Sequence, residues 1–283
     1  MQEPSLRTSR LAIAGGLVAV ILVGGAGFFF GRTTAPSESE PAAISSPIPQ
    51  PSPTQPARML DRADIISIAA QAADALSSGE PLPEDVRAMA NRRFELALPF
   101  GCSGPASESS SAPLRWRYDE EGEVLRLHVA PTIWSPTEWG IGENTPIEAV
   151  EGFWLTHPWS LDGVCPQRTH AAPTGTEPVT LPGQTLAVAQ FFTGDNRRAA
   201  LRDGRPFETV QRVPLGRFDA SRGFRLLLSG RIDSVPGGSP VRCVQPAGLE
   251  QRPICVVAVA LDEVRIENPI GTEVLATWPI NSD

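Results

Sequence analysis

The chain has 283 residues, carries 24 arginines with no lysine, and has a formal net charge of −8. That length supplies one sizeable core or two small ones. The acidic balance argues against nucleic acid as a partner and against tight adhesion to an anionic lipid surface.

Residues 1–10 are expected to form a short cytoplasmic tail. Leu11–Phe30 is a run of twenty uncharged residues, flanked by Arg7 and Arg10 before it and Arg32 after it. As an α-helix, twenty residues rise roughly 30 Å, the thickness of a bilayer's hydrocarbon core. The run, with Gly31, is therefore expected to be a single transmembrane helix over 11–31 that contacts the lipid bilayer through 11–30. The competing reading is a cleaved signal peptide ending at Thr33-Thr34-Ala35. The apolar run is longer than a typical signal core, and Phe28-Phe29-Phe30 suits an interfacial anchor, so the uncleaved form is favoured. The arginines at the amino end put the N-terminus in the cytoplasm and the bulk outside it. Residues 32–57 hold seven prolines among Ser, Thr, Glu and Ala, the composition of a semi-stiff tether.

Residues 58–93 read as a helical segment. Ile65, Ile66, Ala69, Ala73 and Leu76 recur at helical spacing from Arg58 to Ser78, with Asp61, Arg62, Gln71 and Asp74 elsewhere. Gly79, Pro81 and Pro83 stop that helix, and a second short one is expected over Glu84–Arg92. From Phe94 onward the period changes to two, so 94–283 is expected to be one β domain outside the cytoplasm, with 173–183 as a possible seam.

Strands are expected around FELALPF, LRWRY, VLRLHV, GFWLTH, LAVAQFF, FETVQRV, FRLLLSGRI, PVRCV, ICVVAVAL running on to EVRIE, and EVLATW. Asp262 falls on an otherwise apolar face of the long strand, which a bulge at 262–263 resolves. The turn residues between strands favour a mainly β fold, a largely antiparallel sandwich or barrel-like domain preceded by one or two short helices.

Cys102, Cys165, Cys243 and Cys255 form an even set in an outward-facing domain, which favours two disulfides. Of the three pairings, Cys243–Cys255 with Cys102–Cys165 is favoured, since 243 and 255 lie on neighbouring strands. A metal site built from Cys102, Cys165, His157 and His170 has no matching ligand spacing, and no CxxC supports redox catalysis.

The search for catalytic motifs returns no G-x-S-x-G, P-loop, HExxH, S-x-x-K or dinucleotide fingerprint. No catalytic residue, cofactor or metal ligand is therefore assigned. A hydrolase built from Ser160, His157 and Asp162 can be composed only from their nearness in sequence. Four of the six tryptophans fall in 134–159, so Trp134, Trp139, Trp154 and Trp159, with Glu138 and Glu143, are the candidate contact surface for a ligand or partner.

The stretch Phe224–Trp278, with LLLSGRIDSVPGGSPVRCV followed by VVAVALDEVRIEN, resembles the periplasmic homology region of type II secretion C-type proteins. That resemblance implies an anchored, tethered periplasmic β domain and leaves residues 94–213 and the cysteines unaccounted for. The expected function is a non-catalytic binding or assembly protein of the bacterial envelope, anchored in the inner membrane and engaging an envelope protein. The second class is a glycan- or peptidoglycan-binding module, and the third is a periplasmic hydrolase.

Overall fold

A computed structural model describes residues 58–167, 184–195, 201–235 and 237–280. The expected tail, transmembrane helix and tether, the 173–183 seam and His170 all lie outside these residues. Among the described residues, no helix is long and apolar enough to cross a membrane.

The chain enters through Leu60, whose backbone bridges Phe94 in parallel before the first helix starts. Helix α1 spans Arg62–Ser78. Asp61 caps it by accepting from the Asp64 N–H while the Asp64 carboxylate accepts from the Asp61 N–H, a capping box. Gly79 ends it in the left-handed region, at φ 72°, where a side chain would be strained. The buried stripe is Ile65, Ile68, Ala69, Ala72 and Ala75. This stripe is rotated from the expected one. Leu76 is 42% exposed, Ile66 and Ala73 sit at the rim, and Arg62 turns inward. The second helix, α2, covers only Glu84–Arg87. It stops short of Arg92 because Asn91, at φ 65°, donates its N–H to the Ile232 carbonyl and turns the chain into the sheet.

The strands are β1 (Arg93–Phe100), β2 (Leu114–Asp119), β3 (Val124–Val129), β4 (Thr132–Trp134), β5 (Ile147–Trp154), β6 (Leu186–Thr193), β7 (Phe207–Arg212), β8 (Phe224–Ile232), β9 (Val241–Val244), β10 (Ile254–Asn268) and β11 (Glu273–Pro279). They form two sheets. The larger runs β1-β8-β10-β6-β5-β4, with β9 and β11 also paired to β10, and the smaller runs β2-β3-β7. The fold is mainly β with few helices, consistent with a sandwich.

The strand pairing is largely antiparallel, with one parallel stretch in which Cys255–Ala258 of β10 run beside Leu186–Ala189 of β6. The long strand organises this arrangement by changing neighbours along its length. Its first half lies between β6 and β9, and its second half between β8 and β11.

The register shifts between Leu261 and Glu263, the site expected from the misplaced Asp262. The extra residue puts Leu261 and Val264 both into the core and leaves Asp262 facing Arg93 at 3.8 Å.

The main core collects Ile65 and Ala69 of α1, Phe94 and Leu96 of β1, Trp116 of β2, Leu125 and Leu127 of β3, Leu226 and Leu228 of β8, and Val257 and Val259 of β10. Residues on both sides of 173–183 contribute to it, among them Phe153 and Leu186. A second cluster sits against the opposite face of β5, β6 and β10, where Val150, Ala187, Ala189, Val256 and Ala258 are covered by Trp134, Trp139 and Ile141.

Candidate functional site

The cysteines pair as Cys102–Cys165 and Cys243–Cys255. Cys243 and Cys255 are direct cross-strand partners on β9 and β10. The other bridge ties the end of β1 to a chain segment 63 residues on. That segment, residues 156–165, is a loop tied to β1 and α1 that carries the exposed ring of Trp159.

Its anchor is Arg62. This side chain is 3% exposed, yet no carboxylate hydrogen-bonds to it among the described residues. Its Nε donates to the Ser160 carbonyl at 2.9 Å, Nη1 to Ala97 O at 3.0 Å, and Nη2 to the carbonyls of Thr156 and His157. Burial pulls its pKa down to about 10, opposed by the nearby negative charge of Asp162. Five N–H donors in a fixed fork suit this task of gathering carbonyls from two chain segments. Thr156 Oγ1 adds a bond to Pro99 O at 2.8 Å. Gly163 lies so close to β1 that a Cβ there would come within 2.4 Å of the Ala97 methyl.

The loop thus held presents apolar side chains to solvent: Trp159 is 69% exposed and Leu161 60%. Beside Trp159 is a groove of about 310 Å³, lined by Pro113, Leu114, Phe153, Trp154 and Leu155, with Thr132, Thr156, His157 and Gln184 as its polar members. His157 is in the left-handed region at φ 52°, and its ring meets Trp159 edge-on at 5.5 Å. Its Nδ1 is buried without a hydrogen-bond partner. Burial, then the charge of Arg62, hold its pKa below the usual histidine value.

The expected tryptophan surface therefore divides. Trp134 and Trp139 are 6% and 2% exposed and pack edge-to-face at 5.6 Å in the second cluster. They are core, a correction whose cause is the sheet face they cover: small residues such as Ala187, Ala189 and Ala258 leave room for two indoles. Glu138 is exposed, but its carboxylate is committed to the Ser135 N–H as a helix-start cap at 2.6 Å. Glu143 is exposed on the loop that follows. Trp154 is half-buried, with its ring 5.2 Å from Trp134 on one side and the groove on the other. Trp159 alone of the four is an open surface.

Ser160, His157 and Asp162 do not form a hydrogen-bonded triad. The Ser160 hydroxyl points to the Asp162 backbone carbonyl at 3.5 Å, and the Ser160 N–H donates to the His157 carbonyl. Among the described residues, no cluster of His, Cys, Asp and Glu has the makings of a metal site.

Arg62 was missed by sequence reasoning, which put it on the solvent face of its helix. The signal was its place immediately after an N-cap aspartate, where a long side chain reaches past the helix start. No family model matches the sequence, and no curated protein or solved structure is significantly similar to it.

Proposed function

We propose that the chain is a membrane-anchored binding protein of the bacterial cell envelope, whose β domain docks an envelope protein on the Trp159 surface. The carrying observation is the exposed Trp159–Leu161 pair on a loop fixed by Arg62, Gly163 and the Cys102–Cys165 bridge. Rigid aromatic anchors beside a groove are where binding energy concentrates at interfaces, because little side-chain freedom is lost on docking. In this reading residues 11–30 hold the chain in the inner membrane. The tether gives the domain a reach of roughly 75 Å at the rise of extended polyproline. The two disulfides fit an oxidising compartment such as the periplasm.

Crosslinking in intact cells, with full-length chain and the Trp159→Ala variant compared by mass spectrometry, tests this. A discrete envelope-protein adduct that the variant loses, at unchanged abundance, supports the reading. An adduct that the variant keeps removes Trp159 from it.

A second reading, glycan binding, has its own support in Thr132, Thr156 and Gln184 around the indole face, since sugar rings stack on aromatics while their hydroxyls need polar partners. Co-sedimentation with isolated cell wall that Trp159→Ala abolishes, with no protein adduct in cells, would favour it.

A further inference from the structure

The outward face of the small sheet carries a second site with different chemistry. Register fixes it as a grid of three rows across β2, β3 and β7: Arg115, His128 and Glu208; Arg117, Arg126 and Val210; Asp119, Val124 and Arg212. Four arginines meet two carboxylates there, within a chain whose net charge is −8. The middle row sets two guanidinium-bearing residues directly opposite each other with no acid in the row, an arrangement that destabilises a sheet when nothing neutralises it.

The groups on and around that row are already committed, and Arg126 is the cation left open. Glu208 is taken by His128, Oε1 to Nδ1 at 2.6 Å. Arg115 donates to Ala112 O, and Arg117 Nη2 to the carbonyls of Ser107 and Glu108, so the 107–112 segment fixes both side chains without using a carboxylate. Arg117 Nε is buried and has no partner. Arg126 is exposed, and no described residue engages its guanidinium. A concavity of about 200 Å³ lies over these residues.

We infer that this face binds a phosphoryl group carried by a soluble phosphate ester or a phosphorylated glycan, held between Arg117 and Arg126 with Arg115 beside them. A carboxylate has two oxygens and is satisfied by the open Arg126 fork; a phosphate monoester offers a third oxygen, for a single contact from the remaining Nη1 of Arg117, whose Nη2 stays on the Ser107 and Glu108 carbonyls. The acidic charge of the remaining surface disfavours approach to an anionic bilayer, which selects a small or polymer-borne phosphate over a lipid headgroup. The site is independent of the Trp159 reading.

The test is ³¹P NMR of inorganic phosphate and of glycerol 3-phosphate, titrated with full-length protein in neutral detergent at constant ionic strength. Saturable broadening is expected with both. Arg126→Gln, a change at an exposed residue with no described partner, should weaken it about tenfold, the loss of one charge-assisted contact. Arg87→Gln, an exposed arginine on α2, should leave it unchanged. Absence of saturable broadening overturns the inference, as does equal broadening in Arg126→Gln. Acetate displacing phosphate at equal concentration also overturns it, because the site would then read any anion. So does Arg126-dependent capture by phosphatidylglycerol vesicles without phosphate broadening, which would make the ligand a bilayer.

Discussion

Arg62 shows how one side chain sets the geometry of a surface it does not reach. Its guanidinium is buried among four carbonyls from β1 and the 156–160 turn, so its removal leaves acceptors in the interior that water cannot serve. Arg62→Met keeps the apolar bulk and removes every donor. It is expected to cost about 3 kcal/mol, seen as a fall of roughly 10 °C in melting temperature by calorimetry. His157, two residues before Trp159, gives the same loop a pH dependence. Its pKa in the folded protein lies below the unfolded value of 6.5, so the unfolded chain binds the proton more readily. Stability contributed by the neutral ring is therefore complete above pH 6.5 and is lost as pH falls from 6.5 through the lower folded pKa. Equilibrium unfolding at pH 7.5 and pH 5.5 should show a destabilisation on acidification that His157→Gln reduces. An identical pH slope in the variant would assign the effect to other groups.

At the scale of elements, the long β10 strand is where local pattern and long-range pairing agree best. Its bulge was legible because alternation is strict: one extra residue reverses inside and outside, and Asp262 marked the place. The 156–165 loop is the contrasting case. No periodic pattern describes it, and its conformation rests on β1, α1 and the Cys102–Cys165 bridge. Loop-closure entropy over 63 residues assigns that bridge about 4 kcal/mol. The paired change Cys102→Ala with Cys165→Ala should lower the melting temperature by roughly 10 °C. It should also raise amide exchange in 156–165 more than in β8 or β10, a difference that hydrogen-exchange mass spectrometry resolves. Uniform exchange across the three segments would show that the bridge stabilises the whole domain without holding the loop.

For the molecule as a whole, the sequence determined what depends on near neighbours. Hydrophobic alternation marked most strands, the even cysteine count marked two disulfides, and Gly79 marked the end of α1, although that helix starts at Arg62 after an Asp61 cap and not at Arg58. Tertiary structure decided what depends on which faces meet. It sent Trp134 and Trp139 under the second cluster and left Trp159 outside, although all three sit in similar loop-rich sequence. It turned Arg62 inward from a helix face that periodicity assigns to water, and it made β6 and β10 parallel partners through a connection that passes through three other strands. It also set Arg117 opposite Arg126, a juxtaposition set by cross-strand register. The physical reason is common to these cases: burial and register are properties of pairs of elements, and a residue's own neighbours in sequence carry no record of the partner that covers it.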